Sequence, residues 1–260
     1  MVVPPSNPWE VTLVAGQFIF GDNNEFASTG DLSTDPMIFD EQLIVKYNFT
    51  KDVSVTLAPG FMAESAGHLT GLRNTLPFTD ESAVAGVNPL PAITGETRAL
   101  HILTAPGDIS FKLAGLKSKI YWDFAYNVSG RDRFDNVYQL KSFGSRDFKP
   151  RDGLAWLVGL QLGETKKKGD WQFYVNYRES GIASVDPNLN DSDFALSALN
   201  TRGFKIGLAY ALNDFVVLNA TGYITWNLDN DLFGGRATSV GGIAPYNASN
   251  EVQLDVNIKF

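Results

Sequence analysis

The chemistry open to this 260-residue chain is narrow from the outset, because it has no cysteine and only two histidines, His68 and His101. Disulfides, thiolate metal sites and a cysteine nucleophile are excluded. Neither histidine has a serine or aspartate at a diagnostic spacing. His68 falls in a Gly- and Pro-rich stretch, and His101 in a segment interrupted by Pro106 and Gly107. There is no G-x-S-x-G elbow, no G-x-x-x-x-G-K-[ST] phosphate loop and no H-E-x-x-H zinc motif. The expectation is a protein that is not an enzyme, with no catalytic residue, no metal and no cofactor.

Oxygen ligands offer little more. The segment DPNLNDSD, Asp186 to Asp193, invites a calcium reading, but Asp191 occupies the position where a calcium loop turns on Gly. Ser197 stands where its bidentate Glu belongs. A hydrated loop is the expectation there, and equally around Asp229 and Asp231. Between Gly130 and Asp152 six cations, Arg131, Arg133 and Arg146 among them, stand against four carboxylates. Such a mixture reads as a loop surface, while a ring of one sign would set ion selectivity in a pore. Across the whole chain 21 Lys and Arg against 29 Asp and Glu leave a net charge of −8. No nucleic-acid partner is expected, since the basic footprint that phosphate requires is missing.

The elements that must position these residues are strands. Apolar and polar residues alternate with a period of two in segments of about ten residues. From Glu251 to Phe260, Val252, Leu254, Val256, Ile258 and Phe260 share one face opposite Gln253, Asp255 and Lys259. Lys119 to Val128 and Trp171 to Arg178 divide in the same way. Weaker alternation at Trp9–Phe20, Phe39–Phe49, Val53–Phe61, Thr97–Leu113, Gly153–Leu162, Arg202–Ala211 and Phe215–Trp226 brings the number to ten. The Pro106–Gly107 interruption implies a bulge, an edge or a turn between two shorter strands.

The links alternate in length. Thr50–Asp52, Ala114–Ser118, Gly163–Asp170 and Leu212–Asp214 are short, while Gly21–Ile38, Met62–Glu96, Gly130–Asp152, Gly181–Thr201 and Asn227–Asn250 are long. Outer-membrane barrels have short periplasmic turns and long external loops. The longest of these, residues 62–96, is either a surface loop or an inward fold that narrows the lumen. No apolar run approaches the roughly 20 residues of a spanning helix; the longest is Leu154 to Leu160. The opening MVVPPSNPWE has neither the basic nor the apolar region of a secretory leader and reads as an extended lead-in.

A soluble β-sandwich also alternates. Two features favour lipid over that reading. Ten residues at about 3.4 Å, tilted by about 40°, cover roughly 25 Å, the apolar height of a bacterial barrel. Aromatics such as Trp9, Phe49, Trp171, Tyr210 and Trp226 gather toward segment ends, as in interfacial girdles; Trp122, Phe124 and Trp156 are less terminal. The expected fold is therefore an all-β, transmembrane, antiparallel up-and-down β-barrel of about ten strands, a single domain over residues 1–260. Its pore-lining candidates are Lys46, Asp123, Asn176, Arg178, Lys205 and Asp255, and its lipid-facing aromatics Trp122, Trp171 and Trp226.

The terminal strand EVQLDVNIKF, with Val256, Ile258 and a final Phe260, resembles the C-terminal assembly signal of outer-membrane proteins. The hairpin DGLAWLVGLQLGETKKKGDWQFYVNYRES from Asp152 and the stretch DSDFALSALNTRGFKIGLAY from Asp191 resemble the bacterial "putative porin" family. The likeness is strongest over residues 152–260 and looser from Phe39 to Val128. It implies the C-terminal part of an outer-membrane porin that passes small hydrophilic solutes and ions by diffusion. The partners it implies are outer-membrane lipid, lipopolysaccharide and the barrel assembly machinery, with the homotrimers common among porins. The departure is length, since family members resemble a longer chain with further strands upstream. About eight strands leave an interior filled by side chains, and aqueous channels are typical at 16 to 18. Ten strands closed alone make at best a narrow pore, so upstream strands, another chain or a small poorly conducting barrel are the alternatives. A non-conducting barrel that binds or scaffolds through its loops is the competing function.

Overall fold

The computed structural model describes residues 7–19, 37–64, 100–137, 146–186, 190–191, 193–195, 198–232 and 248–258. Twelve strands form one antiparallel sheet: β1 (Trp9–Ile19), β2 (Met37–Thr50), β3 (Val53–Leu57), β4 (Gly60–Glu64), β5 (His101–Thr104), β6 (Gly107–Leu113), β7 (Leu116–Asn127), β8 (Leu154–Gly163), β9 (Trp171–Ser180), β10 (Thr201–Ala211), β11 (Val216–Asn227) and β12 (Ala248–Ile258). From β7 to β12 each strand pairs with its neighbour in sequence, up and down. Among the described residues β1 and β12 are the two edges and do not pair with each other.

Twelve strands arise from ten spans because proline splits two of them. β3 and β4 flank Ala58–Pro59 and both pair with β2, while β5 and β6 flank Ala105–Pro106 and both pair with β7. A proline has no N–H to give the ladder. The two breaks lie side by side and are bridged by what remains: Ala58 N donates to Pro106 O (2.8 Å) and Leu43 N to Pro59 O (2.9 Å). The sequence expectation of two shorter strands around Pro106 is met. The matching break at Pro59 was not expected, since Val53–Phe61 reads as one run.

The short links meet at one end of the sheet. A two-residue turn joins β6 to β7 through Ala114 (φ 49°) and Gly115 (φ 83°). Positive φ at both central residues is the hairpin turn whose twist matches that of the strands.

The faces of this sheet are inverted relative to a soluble core. In β10, the third strand from the β12 edge, Leu208 is 53% exposed while its neighbour Ala209 is 3% exposed. Phe204, Ile206 and Tyr210 lie with Leu208 on the open face, and Gly203, Gly207 and Ala211 are buried on the other. Apart from Ile102 in β5, the most deeply buried large apolar side chains lie beyond the strands. Arg133, Phe134, Ile182, Phe194, Leu232 and Leu100 are all at most 1% exposed, and none lies within a strand. They come from the described parts of the β7–β8, β9–β10 and β11–β12 connections and from Leu100 beside β5, and the first two of these connections pack on each other as a cap at the loop end of the sheet.

Glycine permits that packing. A Cβ on Gly181 would run into the carbonyl oxygens of Arg151 and Asp152, where the β9–β10 loop crosses the β7–β8 loop. There Gly181 N donates to Leu154 O (2.9 Å) and Ala183 N to Asp152 O (2.8 Å).

Candidate functional site

Directly opposed residues of an antiparallel pair share a face. The register therefore draws a continuous line across the sheet from Glu10 through Lys46, Thr56, Asp108, Tyr121, Gly159, Asn176, Lys205 and Tyr223 to Glu251. A parallel line joins Asp123, Leu157, Arg178, Gly203 and Thr225, and another joins Gly163, Gln172, Ala209, Asn219 and Asp255. Lys46, Asp123, Asn176, Arg178, Lys205 and Asp255 thus lie on one face, called the inner face below, and that face is largely polar, with Val14, Ile44, Leu157 and the buried cluster of Ala209, Ala211 and Val217 as apolar members.

Flat tyrosines order it. The ring of Tyr121 on β7 lies over Gly159 on β8, so its hydroxyl reaches Asn176 on β9 (3.1 Å). The ring of Tyr174 on β9 lies over Gly207 on β10, and its hydroxyl reaches Thr221 on β11 (2.9 Å). A Cβ at either glycine would collide with the ring. Each tyrosine spans the strand beside it and fastens to the next but one.

The outer face carries the complementary arrangement. Near the loop end, Phe124, Trp156, Tyr177, Phe204 and Trp226 form an unbroken series of ring contacts across five strands, with centroids 6.4, 5.5, 5.0 and 6.1 Å apart. Phe124 and Trp156, which looked misplaced from segment boundaries alone, belong to this belt because the register brings them level with Trp226. At the turn end Trp9, Tyr47 and Phe49 make a second group, with centroids 4.6 and 4.7 Å apart, and Trp171 faces Tyr210. Along β9 the two belts, at Trp171 and Tyr177, are roughly 20 Å apart at about 3.4 Å per residue. Exposed aliphatic side chains, among them Ile120, Val158, Ile206, Leu208 and Leu218, fill the band between them. Trp122 also lies on this face, with its indole over Gly107. On β12, Val256 and Ile258 are exposed on it; Phe260 lies outside the described residues.

At the loop end the β9–β10 connection folds back onto the inner face. Asp191 receives hydrogen bonds from Arg178 (2.9 Å) and Lys205 (3.1 Å), and Phe194 lies 4.4 Å from the Arg178 guanidinium. Burial alone would raise the Asp191 pKa. The Arg178 charge and the bonds from Lys205 and Arg178 outweigh it and hold the carboxyl below its ordinary value. Asp186 is 1% exposed and 3.7 Å from the equally buried Arg133. The expectation of a hydrated loop at Asp186 to Asp193 is therefore corrected: its first and sixth residues are consumed by ion pairs to other elements.

Asp229 is corrected likewise. Arg146 clamps Asp152 with two bonds of 2.7 Å and Asp229 with bonds of 2.6 and 3.0 Å. Burial pushes the Asp229 carboxyl up, but the Arg146 bond and a backbone N–H from Asp231 hold it below its usual range. These carboxylates are occupied by arginine, and among the described residues no group of three or more His, Asp or Glu is placed to hold a metal. His101 does meet a serine, Ser129, with Nδ1 to Oγ at 2.8 Å. Asn127 accepts from the backbone N–H groups of both. No carboxylate is bonded to that ring among the described residues, so the pair joins strand end to loop rather than forming a triad. Residues 65–99, the expected inward loop, lie outside the described residues.

No curated protein matches this chain. A protein-family model described as "Putative porin" matches residues 94–260, more than half of the chain and the part that contains β5 through β12.

Proposed function

Because the chain belongs to the putative porin family, we propose that it is an outer-membrane barrel wall whose inner face lines a water-filled path for small hydrophilic solutes and ions. The observation that carries this reading is the outer face: an exposed aliphatic band between two aromatic belts, backed by a largely polar inner face. Lipid is the solvent that such a surface suits. Lys46, Asp123, Asn176, Arg178, Lys205 and Asp255 are then the lining. Trp122, Trp171 and Trp226 meet lipid, and Val256, Ile258 and Phe260 address the assembly machinery. Open sheet edges do not persist in hydrocarbon, so in the membrane β1 and β12 are paired, with each other, with further strands or with a neighbouring copy.

Single-channel conductance in planar bilayers tests the pore. Stable ohmic steps from folded, inserted protein are the expected result, and silence would overturn it. A second reading has its own support in the cap, whose Asp191 pins a loop onto the inner face: a closed barrel that engages partners through its loops. Asp191→Asn separates the two. It frees Arg178 and Lys205, and in a conducting barrel it raises conductance and shifts selectivity toward anions, whereas a closed barrel stays silent.

A further inference from the structure

The inner face at the turn end holds a recess of about 340 Å³ between β2, β3, β6, β7 and β8. Five lysines line it, Lys46, Lys51, Lys112, Lys117 and Lys119, against two carboxylates, Asp52 and Glu164. In a chain of net charge −8 this is a local reversal of sign, and the fold maintains it at a cost. The β6–β7 hairpin places Lys112 directly opposite Lys117, and like charges facing across a ladder are destabilising. Each is balanced by a carboxylate from a separate turn: Lys112 by Asp52, and Lys117 by Glu164 at 3.1 Å. Lys46 is balanced by Glu10 at 3.1 Å.

Lys119 is not balanced in this way. It lies two residues beyond Lys117 on the same face, opposite Ser110 on one side and Gln161 on the other. Its ammonium is 5.4 Å from the centre of the Tyr121 ring, and among the described residues it pairs with no carboxylate. The recess thus offers an ammonium that meets no carboxylate among the described residues, two further lysines next to it and the hydroxyl of Ser54, while Ser110 Oγ donates to Asp108 (2.7 Å) and the Gln161 amide to Gly163 O (3.4 Å). That donor set, with positive charge in excess, suits a compact anion of more than one charge.

We propose that this recess is a binding subsite for a small multivalent oxyanion, a phosphate or a polycarboxylate, with Lys119 as its principal contact and Lys112 and Lys117 beside it. On the porin reading, on which its physiological access rests, the subsite concentrates such anions at the turn-end mouth of the path.

The test uses the full chain in lipid nanodiscs, titrated calorimetrically with inorganic phosphate and, separately, citrate against a chloride background, with the same anions added to one side of a planar bilayer at a time. Saturable binding of at least one of the two is expected, and which binds more tightly identifies the source. Lys119→Gln weakens it by about ten-fold or more, Lys119→Arg restores it in large part, and Lys167→Gln, an exposed lysine of the β8–β9 turn, leaves it unchanged. Absence of saturable binding would overturn the subsite, as would equal losses in Lys119→Gln and Lys167→Gln, which mark diffuse attraction. Conductance without binding removes the subsite and keeps the porin reading. Binding without conductance does the reverse.

Discussion

The two ends of the sheet solve the same electrostatic problem with different residues. At the loop end the described cations are mostly arginines, Arg131, Arg133, Arg146, Arg151, Arg178 and Arg202, and at the turn end they are lysines, Lys51, Lys112, Lys117, Lys119 and Lys166 to Lys168. The loop end is dry: Arg146 meets two carboxylates at once and is 17% exposed, and Arg133 is fully buried. A planar guanidinium is weakly hydrated and carries five fixed donors, so it can leave water when its donors find acceptors, as those of Arg146 do at Asp147 O, Asp152 and Asp229. At the turn end Lys117 and Lys166 share Glu164 with more than half of each lysine side chain in solvent. A strongly hydrated ammonium on a flexible stem is best left there. The contrast identifies the loop end as the part of this molecule built like a soluble core, and the turn end as a wet mouth.

The strongest way to break the contrast is to empty one side of the buried pair. Asp186→Ala leaves Arg133 charged and buried, which costs about 3–5 kcal/mol. The cap should open while the wall persists, read as new tryptic cleavage at Arg131 and Arg151 in protein that still shows heat-modifiable migration. Next comes the wall itself. Ile206→Arg, at the middle of the outer face of β10, should cost about 2–4 kcal/mol in urea unfolding from lipid vesicles. Asn219→Arg, on the inner face of β11, should leave stability nearly intact, and equal losses would refute the assignment of faces.

Arg146→Lys keeps the charge but loses the fork, and should cost the cap about 1–3 kcal/mol. The clamp also has a pH signature. The Asp229 pKa is lowered in the folded state from an ordinary 3.8, so its contribution is present above that value and is lost as pH falls below it, through the folded-state value. Hydrogen exchange of the cap amides should accelerate in that acid window in the native protein, and less in Arg146→Lys. The smallest effect belongs to the turn end. Glu164→Gln removes an exposed pair partner and should leave the melting temperature unchanged within error. A large drop there would mean that the turn end is drier than its exposure suggests.

Much of the wall was legible in the chain. The described parts of all ten alternating segments are strands of the sheet, each short turn is short, and the described residues assigned to the polar side by alternation alone lie on the inner face; Lys259 lies outside the described residues. Local spacing suffices for that because alternate side chains of a strand point to opposite faces whatever the strand pairs with. The site at the loop end was not legible. Asp186, Asp191 and Asp229 look like loop solvation in sequence because their partners lie elsewhere in it: Arg146 and Asp229 are 83 residues apart, and Asn127 reaches Ala183 across 56. His101 and Ser129, 28 residues apart, were missed for the same reason.

The sequence by itself determined the period, the span lengths and which side chains share a face within each strand. Only the tertiary structure decided how faces align from strand to strand: that Phe124 and Trp156 complete a belt, that Tyr121 and Tyr174 lie over glycines of the next strand, and that Lys112 opposes Lys117. Alternation is a property of consecutive backbone units, whereas register is settled by pairing energies between segments. A loop that leaves water does so only when distant arginines and carboxylates arrive together.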